Sequence, residues 1–328
     1  MRKLLALSVL TALGLSATAC GGDAEPAADG TAKLKVGVMF PGNLSDDGFM
    51  QSGYEGYQRI EKAQSGRVSL AKVEQVAAPD YQQVLTRLAT GSDLVVSFGG
   101  QTDAVVRQVA PAFPKVKFVE IGGPSDAAPL ANLAYYDPVQ ADGGFLAGAL
   151  AALTSKTGKV SFLGGVELPA IVKTAKAFEA GAKLARPDVT VLAPQYVGDF
   201  NDVAKAKQAG QANLGAGADA FGQQLNLGHQ GLAQAVQEKG AFMVGGPLAK
   251  PCGSEPGVVG YMKEDTGAEL EYAVKAVLDG TFKAAQVPFG VASGLGTTDL
   301  ILCGATPEVT AKIDKIEKDL AAGTIKIG

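Results

Sequence analysis

Residues 33–56, KLKVGVMFPGNLSDDGFMQSGYEG, decide the fold. Leu34, Val36, Val38 and Phe40 alternate with Lys35, Gly37 and Met39, the period of a strand with one strongly apolar face. Pro41-Gly42-Asn43 stops that strand. Ser45, Asp46 and Asp47 are helix N-cap types, and a helical pattern begins near Gly48. Strand, loop and helix start form the entry to an α/β unit. The first N–H groups of such a helix lack partners within it and are expected to face a ligand. This loop is therefore expected to form one lip of a ligand cleft.

The alternation continues outward. A helix is expected from Phe49 to Ala63, a strand over Val68–Val73, a helix from Asp80 to Leu88 and a strand over Ser92–Ser97. A helix from Asp103 to Ala112 and a strand over Val116–Ile121 complete a βαβαβαβ order, which implies a mostly parallel sheet covered on both faces. Asn132–Tyr136 reads as a short extended piece, and Pro138 opens a long helix rich in small residues through Leu153. The pattern then restarts: strands over Lys159–Leu163, Val189–Tyr196, Asp219–Leu225 and Phe242–Val244, with helices over Ala170–Ala185, Asp199–Leu214 and Gly228–Lys239 between them. Two like units in tandem are a structural repeat. The tail offers strands at Val258–Tyr261 and Asp299–Leu302 and helices at Glu264–Leu278 and Pro307–Leu320, too little for a third domain. It is expected to complete both sheets, so that the chain crosses between lobes more than once. The expected division is residues 33–135 plus about 258–285 for the first lobe and 136–257 plus about 286–328 for the second.

A length of 328 residues agrees with two domains. A net charge of −4 without a large basic block argues against a nucleic-acid partner. The single histidine, His229, argues against histidine metal sites and catalytic triads. Gly99-Gly100 and Gly164-Gly165 follow strands but belong to no G-x-G-x-x-G or phosphate-loop pattern, and glycine pairs there are commonly turns. Neither an enzyme nor a cofactor is expected. At the N-terminus, Arg2 and Lys3 precede an apolar run, Leu4–Leu15, too short to span a bilayer. Ala17-Thr18-Ala19-Cys20 resembles the lipobox of bacterial lipoproteins, with Ala17 where leucine is usual. A signal peptide over 1–19, lipidation at Cys20 and a flexible tether over 20–32 are expected. The alternative is ordinary cleavage after Ala19. Cys252 and Cys303 remain, an even pair that reads as one disulfide in an exported protein or as two separate buried thiols.

Several blocks, taken in order, carry a family resemblance. Asp46-Asp47-Gly48-Phe49-Met50-Gln51-Ser52 is followed by Asp93-Leu94-Val95-Val96, Asp103 and Phe113-Pro114-Lys115-Val116-Lys117-Phe118. Gly148-x-x-Ala151-Ala152, Thr157-Gly158-Lys159-Val160, Phe178-x-Ala180-Gly181-Ala182, Gly217-Ala218-Asp219 and Met262-Lys263-x-Asp265 come next. Together they resemble the basic membrane protein family of ABC-transporter solute-binding lipoproteins, whose members include purine-nucleoside receptors. The resemblance implies a type I periplasmic-binding-protein fold, two α/β lobes with parallel sheets joined by a multi-crossing hinge. It implies a lipid-anchored protein on the extracytoplasmic face, capturing a purine nucleoside or base for permease and ATPase subunits. A sensor that hands the ligand to a signalling partner, and a binder of another solute such as a sugar, are the alternatives.

By the resemblance, Phe49 stacks on the ligand, Asp46 and Asp103 accept its hydrogen bonds, and Lys263 contacts it. The plain alternatives are a core ring for Phe49, helix caps for the aspartates and a solvated charge for Lys263. Gln224 and Asn226 end a strand and should face the cleft, because α/β ligands sit beyond the carboxyl ends of strands. Tyr136 and Asp137 lie near a crossing as further candidates. Two departures make the pocket less polar: Met50 stands where the family has asparagine, and Gly245-Gly246-Pro247-Leu248 where it has an aspartate-rich block. The sugar contact is thereby placed in question.

Overall fold

The computed structural model describes residues 32–327. The expected signal peptide, lipidation at Cys20 and nearly all of the tether lie outside the described residues. The first lobe contains β1 (Leu34–Phe40), α1 (Phe49–Gln64), β2 (Val68–Glu74), α2 (Tyr81–Gly91), β3 (Leu94–Phe98), α3 (Asp103–Val109), β4 (Lys117–Ile121) and β5 (Leu133–Asp137). The chain then crosses into α4 (Gln140–Thr154), β6 (Lys159–Gly164), α5 (Pro169–Ala185), β7 (Thr190–Val191), β8 (Gln195–Tyr196), α6 (Val203–Gly215), β9 (Ala220–Gln224), α7 (His229–Lys239), β10 (Phe242–Gly245) and β11 (Val258–Glu264). The tail adds α8 (Thr266–Leu278), β12 (Gln286–Pro288), β13 (Thr298–Leu302) and α9 (Pro307–Ala321).

The first sheet has the order β12-β5-β4-β3-β1-β2, every pair parallel. The second runs β13-β11-β10-β9-β6-β7, with β8 also pairing β6, and only β13 is antiparallel. β1 is apolar toward both faces: Val36, Val38 and Phe40 enter one core and Met39 the core on the opposite face. That burial on two sides is what a central parallel strand requires.

The tail corrects the expected boundaries. β11, placed with the first lobe, pairs with β10 and β13 in the second sheet. α8 packs against α1 of the first lobe, and β12, placed with the second, pairs with β5 in the first sheet. The chain thus crosses three times, after β5, after β11 and after β12. The expected strand over Val189–Tyr196 is two short pieces, because Pro194 lacks the N–H that a continuous ladder needs. The helix expected from Asp199 starts at Val203, capped by Asp202, whose carboxylate accepts the Lys205 N–H. Cys252 and Cys303 are joined in a disulfide that ties the loop before β11 to the end of β13.

The small residues of α4 have a packing role. A Cβ at Gly148 would lie 2.0 Å from the Phe178 carbonyl oxygen of α5, and one at Gly181 1.9 Å from that of Phe145. The two helices cross with their backbones nearly touching. Gly148→Ala is expected to cost about 1–3 kcal/mol in denaturant unfolding. Gly66→Ala, where a Cβ meets nothing within 4 Å, is expected to be close to neutral.

Candidate functional site

The loop after β1 is organised by one buried carboxylate. Asp46 accepts the backbone N–H groups of Gly48 (2.9 Å), Met50 (3.3 Å) and Gln51 (3.0 Å). It also accepts Asn226 Nδ2 of the second lobe at 2.8 Å, and Asn226 Oδ1 in turn accepts the Phe49 N–H at 3.4 Å. The start of α1 is therefore satisfied by protein groups, which corrects the expectation that its N–H groups await a ligand. Burial lifts the Asp46 carboxyl above its ordinary range, against the three N–H groups that favour its charge.

A second bridge lies beside it. Asp47 takes a left-handed backbone conformation, which aspartate tolerates better than most residues. Its carboxylate accepts Lys250 Nζ at 2.7 Å. Lys250 also donates to Glu255 at 3.0 Å, the buried His229 Nε2 lies 3.1 Å from Glu255, and the Tyr261 hydroxyl donates to Glu255 at 2.9 Å. The hydrogen bond from His229, helped by Lys250 and Tyr261, outweighs burial and holds the Glu255 carboxyl down at about 2. These contacts draw the two lobes together on one side of the cleft.

Behind these bridges lies a cavity of about 110 Å³. Phe49 and Met50 enter from the first lobe; Phe200, Leu168, Ile171 and Pro247 enter from the second. Gln101, Gln140, Gln224 and Asn226 are the polar side chains of its wall, so four amides and no ionisable group border it. The Phe49 ring rests against Phe98 edge-on at 6.2 Å and fills the space above Gly122, where a Cβ would lie 2.7 Å away. The Phe200 ring covers Gly165 in the same manner, at 2.2 Å. An outer cavity of about 440 Å³ shares Gly122, Gln140 and Ala170 with the inner one and brings in Asp126, Asp137 and Lys173.

A family model described as ABC transporter substrate-binding protein PnrA-like matches residues 33–246. The chain belongs to this family. The CD4+ T-cell-stimulating antigen of Listeria innocua is 29% identical over 225 residues, 66% of this chain and 62% of that protein. The match thus spans less than two thirds of that relative's length. A purine-binding protein of Brucella abortus is 28% identical over 287 residues, 85% of this chain and 79% of that protein. The solved ABC transporter solute-binding protein of Aeropyrum pernix K1 superposes with a TM-score of 0.75 at 21% identity, covering 89% of this chain and 92% of that one. The architecture is that of a type I periplasmic-binding protein.

Within this PnrA-like chain, Phe49, Gln224 and Asn226 border the inner cavity. Asp46, Asp103 and Lys263 do not. Asp46 is occupied by capping and by Asn226, and both amide atoms of Asn226 are used in the same bridge. Asp103 accepts the Tyr135 hydroxyl at 2.7 Å, away from the cavity. Lys263 lies in β11 with Nζ 3.5 Å from the Gly296 carbonyl oxygen, and strand alternation turns it from the cleft while Glu264 points toward it. Both sequence departures, Met50 and Pro247, do border the cavity. Phe200, Gln140 and Glu264 were not singled out from sequence. Phe200 sits in a loop with no periodicity, and only Gly165, after a strand, signals room for a ring.

Since Glu255 is held at about 2 against an ordinary 4.5, its contribution to stability is complete above about pH 4.5 and is lost as pH falls toward 2. Unfolding followed across that window is expected to show a shallower acid loss in Glu255→Gln than in the parent chain.

Proposed function

We propose that this chain is the extracytoplasmic capture subunit of an ABC importer and that it holds a purine nucleoside or nucleobase between its lobes. The observation that carries this reading is the inner cavity, entered by one phenylalanine ring from each lobe and walled by amides. A flat heterocycle needs apolar faces to stack on and a few hydrogen bonds at its edge. Phe49 and Phe200 supply the faces, and Gln140 and Gln224 the edge contacts. The base sits in the inner cavity, and a ribose reaches the outer one, where the Asp137 carboxylate and Lys173 are available to hydroxyl groups. The name of the Brucella abortus relative supports the ligand class.

The partners in this reading are a permease, an ATPase and the membrane surface, reached through a lipid on Cys20. The role is capture without catalysis. Titration calorimetry with purine and pyrimidine bases, their nucleosides and simple sugars tests the reading. Purines are expected to bind, and Phe49→Ala and Phe200→Ala each to weaken binding by about 1–3 kcal/mol, roughly 5- to 150-fold. Binding of sugars without purines would overturn the ligand assignment.

A further inference from the structure

Glu264, the last residue of β11, is fully buried immediately behind the cavity wall. Its carboxylate accepts Gln140 Nε2, at the first position of α4, at 3.0 Å. It also accepts Gln224 Nε2, at the end of β9, at 3.4 Å to each oxygen. An ionised carboxylate only accepts hydrogen bonds. Both glutamines must therefore turn their NH2 groups inward, which leaves their carbonyl oxygens for the cavity. Gln224 is 6% exposed, and its Oε1 is buried without a hydrogen-bond partner. An acceptor so placed at the wall of a binding cavity is a demand for a donor on the ligand.

We propose that Glu264 is a positioning residue that sets the polarity of the Gln140–Gln224 pair, so that the cavity selects a heterocycle edge offering N–H donors over one offering only acceptors. This rests on the heterocycle reading above and specifies the edge that the site accepts. The groups facing Glu264 contain no counter-charge. Asp137 at the end of β5 acts against its ionisation, and Glu269 of α8 is a second buried carboxyl nearby, whose own burial pushes it well above the ordinary range. From α1, Ser52 donates to the Glu264 backbone carbonyl, and α4 and β9 present only the two glutamines. Among the described residues no cation lies within salt-bridge distance of it. Burial raises its carboxyl to about 7. On protonation the acid can donate to a glutamine carbonyl, which lets an NH2 group turn to the cavity and removes the preference.

The test uses two ligand pairs that differ by one amino group: adenosine with purine riboside, and guanosine with inosine. Affinities of the full chain are measured by calorimetry from pH 6 to pH 8.5. At pH 8.5 the amino-bearing member of at least one pair is expected to bind about tenfold or more tightly. That ratio should shrink as pH falls through about 7, should collapse at all pH values in Glu264→Gln, and should return in Glu264→Asp. The pH series on the unmodified chain needs no variant to fold. A ratio near one for both pairs at pH 8.5, or a ratio that neither pH nor Glu264→Gln changes, overturns the proposal while leaving purine binding intact. Failure of all four nucleosides, and of adenine, guanine and hypoxanthine measured beside them, to bind overturns the purine reading as well.

Discussion

The carboxylate of Asp46 is the point on which the cleft depends. It is buried where a charge is expensive, and that cost is offset by three backbone N–H groups and the Asn226 amide. The same group therefore does two things. It fixes the direction in which α1 leaves β1, which sets Phe49 at the cavity, and it joins the first lobe to the second through Asn226. A carboxylate engaged in this way has little left to offer a ligand. The result is a cavity wall made of amides and rings, with acidic and basic groups set behind it or in the outer cleft.

The interlobe contacts are polar and the cavity behind them is largely apolar. In the capture role proposed above, this division would suit a cleft that opens and closes. Hydrogen bonds and ion pairs such as Lys250 with Asp47 can be exchanged for water at modest net cost. A large apolar interface would resist opening. The three crossings between the lobes constrain the motion to a hinge, since each strand or helix at a crossing is anchored in a sheet or core on either side.

Much of the fold was legible in the sequence because alternation of strand and helix patterns is a local signal repeated many times. The run from Leu34 to Ile121 and its counterpart from Lys159 to Val244 each announce a parallel sheet. The tail was harder. β12 is three residues long, and nothing local to Gln286–Pro288 says which sheet edge it completes. In the site, Gln224 was marked by its place at a strand end, and Phe49 by the family resemblance together with its place in the first turn of α1. Asn226 was marked equally well, yet its amide is spent across the cleft, a pairing between residues 180 positions apart. Lys263 was marked by the family resemblance, and its neighbour Glu264 by nothing local. The strand period alone says that adjacent residues face opposite ways, and packing decided which one faces the cavity. Phe200 was hidden because loops carry no period.

The most direct measurement is a crystal structure of the protein grown with adenosine. The expected result is a purine ring held between Phe49 and Phe200, its edge toward Gln224, with the Asp46–Asn226 bridge intact. A ligand lying only in the outer cavity beside Asp137 and Lys173, or bound only with that bridge broken and the two rings apart, would contradict it.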